Sequence, residues 1–206
     1  LTSEKSLVNI AAAEVVPGQL LALGGADYEA AIGSEFSDNT RSAGASGAVL
    51  AKRGFSPLRH AGAEVDRIGA IWEGEGGQAE VLHGAEATEQ KLKGDLSGIQ
   101  VLHLATHGFF LPGEPADSRA SRWDNPLTRS GLALAGANRW QHATSGNCDG
   151  ILTAEEISAL DLTDVQWAVL SACDTGLGKV DARGEGVFGL RRVFALAGAG
   201  TVIMSL

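Results

Sequence analysis

The chain has 206 residues, 44% of them hydrophobic, which suits one large globular domain with a real core. Its formal net charge of −9 excludes a nucleic-acid surface, which needs clustered Lys and Arg. The 28 glycines follow no fixed period, so a collagen-like or repeat reading is excluded too.

In chain order the sequence alternates strand and helix. QLLALGG (Gln19–Gly25) is a short apolar run stopped by two glycines, the pattern of a strand opening into a loop. Ser37–Gly54 is small, polar and Gly-rich and predicts a loop with room for one helical turn. Pro57–Trp72 predicts a helix: Pro57 follows Ser56 at a first helical position, and Leu58, Ala61, Val65, Ile68 and Trp72 recur at helical spacing. Gln78–Gly84 reads as a strand, and a short helix from Thr88 stops at Gly94. IQVLHLATHG (Ile99–Gly108) is largely apolar on both faces, as a central parallel strand should be. The long stretch 109–150 is rich in Pro, Gly, Ser, Asn and Arg and reads as an insertion loop with one strand candidate, GLALAG (Gly131–Gly136). Thr153 and Glu156 stand at capping-box spacing, so a helix starts in Thr153–Leu160. Val165–Ala172 is a buried strand, Gly186–Gly198 a helix with Val187, Leu190, Val193, Phe194 and Ala197 on its apolar side, and Gly200–Leu206 a last buried strand. This rhythm predicts an α/β sandwich on a mostly parallel sheet.

That architecture gives two residues an address. Sites in open parallel sheets form outside the carboxyl ends of the strands. Cys173 follows one strand and His107 another, and each opens a loop. If the strands are neighbours, thiol and imidazole meet above one sheet edge. A thiol needs such a base, because at its free pKa it is mostly protonated at neutral pH. The amide N–H groups of Gly108 and Cys173 are candidates to hold an oxyanion. Each residue also has a plainer reading, Cys173 as core filler and His107 as a satisfied core histidine. Their position where strands end favours chemistry.

Four ordered segments carry a resemblance: VLHLATHGFF, DGILTAEEISALDL, VLSACDTGLG and GEGVFGLRRVFALAGAGTVIMSL. Together with LLALGGADYEAA and GLALAGAN they resemble the CHAT family, caspase-like domains found in bacteria beside tetratricopeptide repeats. The resemblance implies a caspase-like α/β/α sandwich with a mostly parallel central sheet, related to caspases, separases and gingipains. It implies a cysteine endopeptidase acting on protein or peptide substrates, with Cys173 as nucleophile and His107 as general acid/base. Gly108 and Cys173 would supply the oxyanion N–H groups, and no cofactor is needed. Ser171, two before the nucleophile, matches a position that lines the substrate pocket in related proteases. Asp174 would shape that pocket, stabilise a charged His107 or simply cap the turn.

The remaining candidates read as structural. His103 lies four before His107, so on one strand both point to one face. A metal site from this pair has no third ligand, and none is expected. His60, His83 and His142 show no partner, and Cys148 in SGNCDG reads as an exposed bystander thiol. Two cysteines cannot form a disulfide framework or a Cys-rich zinc site, so they read as reduced thiols of a cytoplasmic protein. No apolar run reaches the ~18 residues of a membrane span, and no signal segment opens the chain. GEGVFG (Gly184–Gly189) fits G-x-G-x-x-G, but LGKVDAR separates it from the strand and no acidic residue follows at the right distance. A nucleotide site is therefore a weak alternative, as is an inactive peptide-binding scaffold. The whole of 1–206 reads as one domain core, truncated at both ends, with flanking tetratricopeptide segments or a partner chain expected beside its last strand.

Overall fold

The computed structural model describes residues 18–31, 54–111, 126–142, 148–172 and 185–205. Its strands are β1 (Gln19–Ala26), β2 (Gln78–Gly84), β3 (Ile99–Ala105), β4 (Gly108–Phe110), β5 (Ser130–Ala133), β6 (Ile151–Thr153), β7 (Trp167–Ser171) and β8 (Thr201–Met204). The α-helices are α1 (Ala61–Gly74), α2 (Glu89–Lys93), α3 (Ala154–Ile157) and α4 (Glu185–Leu196). Among the described residues no helix is long and apolar enough to cross a membrane.

Five strands form one parallel sheet in the order β2-β1-β3-β7-β8. The expected strands at Gln19, Ile99, Val165 and Gly200 all lie in it. β1 is buried on both faces, which is why its sequence is apolar without alternation. Leu21 and Leu23 join the larger core, with Leu102 and Leu104 of β3 and Leu190, Val193 and Phe194 of α4. Leu20 and Ala22 face the other way, onto Ala61 and Val65 of α1. Helices on both faces make an α/β/α sandwich, a caspase-like architecture. β1 connects to β2 on one side, while β3 leads to β7 and β8 on the other. The carboxyl ends of β1 and β3 therefore flank the point where the strand order reverses, where open sheets form their clefts.

Segment 109–150 contributes more than the GLALAG strand. β4, β5 and β6 make a small antiparallel sheet, with 3₁₀ turns at Pro126–Thr128 and Ala137–His142. The capping box is present: Thr153 Oγ1 accepts from Glu156 N–H, and the Glu156 carboxylate accepts from Thr153 N–H at 2.8 Å. α1, however, starts at Ala61 and not at Pro57. An N-cap at Ser56 would spend its carbonyl on the first helical bond. The Ser56 carbonyl instead accepts from a side chain at the sheet edge.

Candidate active site

β3 and β7 run parallel and in register, with Ala105 opposite Ser171. Both chains thus leave the sheet at the same edge. His107 and Cys173 each come two residues after that pair. Cys173 and Asp174 lie outside the described residues. Ala172, the residue before Cys173, is buried. A Cβ added to Gly108 would sit 3.7 Å from the Ala172 Cβ, an ordinary contact. Gly108 and Ala172 are therefore neighbours at this edge.

The imidazole of His107 is held on three sides. Its Nε2 lies 2.7 Å from the Ser56 carbonyl oxygen. A carbonyl can only accept, so Nε2 carries the proton and Nδ1 keeps its lone pair. The Tyr28 ring packs on the imidazole with centroids 5.3 Å apart, and Phe55 at 5.7 Å. Tyr28 is anchored in turn. Thr106 Oγ1 donates to the Ala133 carbonyl, which leaves Tyr28 Oη to donate to Thr106 Oγ1 at 3.1 Å. Burial raises the Tyr28 pKa, so the phenol stays neutral.

Burial pushes the His107 pKa below its ordinary value, and the bond to Ser56 only partly offsets this. The neutral, proton-accepting form is favoured. In a Cys173→Ala variant, where no thiolate can hold the imidazolium, His107 should titrate below about 6.5 by NMR. The folded chain then takes up this proton at lower pH than the unfolded chain. The stability from this group is complete above about 6.5 and is lost as pH falls through the folded value.

The backbone of Gly108 is also placed. Ala133 N–H donates to the His107 carbonyl at 2.9 Å, and Leu111 N–H to Arg129 at 2.7 Å. In this register Gly108–Leu132 is a non-hydrogen-bonded pair of the β4–β5 ladder. The Gly108 amide therefore points away from β5, off the ladder.

His103 does not join His107. β3 ends at Ala105, so the alternation that would align them breaks before His107. His103 Nε2 lies 2.9 Å from Glu64 Oε1 of α1, while His107 packs with Tyr28 and Phe55 of the larger core. Among the described residues no group of three His, Cys, Asp or Glu could hold a metal. His83 has a partner after all, Asp66 at 2.9 Å. Ser171 ends β7, half-buried. Cys148 is half-buried and not exposed as the sequence suggests, and burial raises its pKa.

Residue chemistry gives no site role to Tyr28, Phe55, Ser56, Thr106 or Asn138. Tyr28 and Asn138 lie in LLALGGADYEAA and GLALAGAN, the two shorter segments of the resemblance. The resemblance gives them no role.

The five-stranded parallel sheet between helices is a caspase-like α/β/α sandwich. The family model described as CHAT domain matches residues 1–206, and the chain belongs to the CHAT domain family. Comparison with curated proteins finds none that matches.

Proposed function

We propose that the chain is a cysteine endopeptidase with Cys173 and His107 as its dyad. The observation that carries this reading is the bond from His107 Nε2–H to the Ser56 carbonyl. It leaves Nδ1 as a free base at the strand end beside the one that leads to Cys173. His107 takes the thiol proton, and the Cys173 thiolate attacks the scissile carbonyl carbon, forming a C–S bond. The oxyanion is held by the N–H groups of Gly108 and Cys173. The imidazolium gives its proton to the amine as the C–N bond breaks. His107 then deprotonates a water that hydrolyses the thioester and restores the thiol. Ser171 and Asp174 line the pocket before the scissile bond, and the substrates are protein or peptide segments.

Alkylation tests this reading without knowledge of the substrate. At about pH 7, iodoacetamide should modify Cys173 about tenfold faster than Cys148, read by peptide mass spectrometry. His107→Ala should remove most of that difference. Equal rates in the unmodified chain would contradict an activated Cys173.

A further inference from the structure

We propose that Asn138 is the positioning residue for His107, acting through a side-chain clamp on the Phe55–Ser56 segment. The inference rests on the reading of His107 as general base and adds the group that fixes its tautomer. Asn138 sits in the 3₁₀ turn after β5. Its Oδ1 accepts from Phe55 N–H at 2.7 Å, and its Nδ2 donates to the Phe55 carbonyl at 3.0 Å. Nδ2 also donates to Glu29 Oε1 at 2.7 Å. The Asn138 backbone N–H donates to the Tyr28 carbonyl at 2.9 Å.

These bonds require one orientation of the amide, because Oδ1 faces a donor and Nδ2 faces two acceptors. They also require an amide as such: alanine offers neither function and aspartate offers no donor. The side chain thus treats Phe55 as a strand partner would, pairing both its N–H and its carbonyl. Among the described residues no other hydrogen bond reaches the Phe55 backbone. The segment is fitted closely to this clamp. Gly54 has a φ of 61°, in the left-handed region, and a Cβ there would lie 3.2 Å from Asn138 Oδ1.

The consequence appears one residue on. With Phe55 fixed at both backbone groups, the Ser56 carbonyl is aimed at His107 Nε2. The same residue fixes Tyr28 and Phe55, whose rings pack on the imidazole. Asn138 touches no reacting atom. It sets which ring nitrogen carries the proton, and so which one is left to accept from the thiol.

The test is ¹⁵N NMR of the imidazole in the full chain, beside steady-state cleavage of a protein substrate. The unmodified chain should show His107 as a single tautomer protonated at Nε2. Asn138→Ala should give a tautomer mixture and lower kcat by about 10- to 100-fold, with KM changed less than about threefold. Asn138→Asp is isosteric but turns the donor into a carboxylate oxygen facing Glu29 and the Phe55 carbonyl, so it breaks the clamp as well and reads the same property if the alanine variant fails to fold. A different tautomer in the unmodified chain, or a folded variant that keeps the Nε2–H form, overturns the clamp. The NMR signature does not depend on cleavage. A chain that shows the clamp but never cuts would therefore count against the protease reading alone.

Discussion

Cys173→Ala should reduce cleavage of a protein substrate by about 10⁴-fold or more. No other group in the proposed site can form the acyl-enzyme, and alanine removes the sulfur with little change in volume. The expected loss is therefore in kcat, with the fold unchanged by circular dichroism. Cys148→Ala is the matched control. Its thiol is half-buried and held protonated by burial, so activity should stay within about twofold. Full activity in the Cys173 variant would mean that cleavage does not pass through the Cys173 thiolate and would overturn the dyad.

His107→Ala should lose about 10³- to 10⁴-fold. Two functions vanish together, the base that makes the thiolate and the acid that protonates the leaving amine. Combining it with Cys173→Ala should cost little more than the cysteine change alone, because members of one catalytic unit fail together. Ring contacts with Tyr28 and Phe55 are lost as well, so some destabilisation accompanies the change. The double variant separates the two effects: additive losses would mean that His107 acts through folding, and non-additive losses that it acts through the thiol.

The long-range frame was legible because burial writes itself into composition. β1, β3 and β7 are apolar on both faces; Thr106–His107 and the SACD run mark the ends of β3 and β7, while β1 runs through Gly24–Gly25 to Ala26. The capping box at Thr153 was legible because it is local. What escaped the sequence depends on contacts far apart in the chain. Ser56 reads as a helix cap by its neighbours, yet its carbonyl is claimed by a histidine 51 residues away. Asn138 lies in the stretch that reads as an insertion loop, and its amide pairs with backbone 83 residues earlier. The three-residue strands β4 and β6 are too short to show any period. The alignment of His103 with His107 fails because β3 ends at Ala105, three residues before the Gly108 at which its sequence pattern stops.

The most direct measurement of the Cys173–His107 dyad is a crystal structure of the protein with a peptide aldehyde bound. The dyad predicts a covalent bond between Cys173 Sγ and the aldehyde carbon. The hemithioacetal oxygen should lie about 3 Å from the Gly108 nitrogen. His107 Nδ1 should face the reacting carbon, with Nε2–H still on the Ser56 carbonyl. An unmodified Cys173, or a sulfur at the opposite end of the sheet from His107, would contradict the dyad.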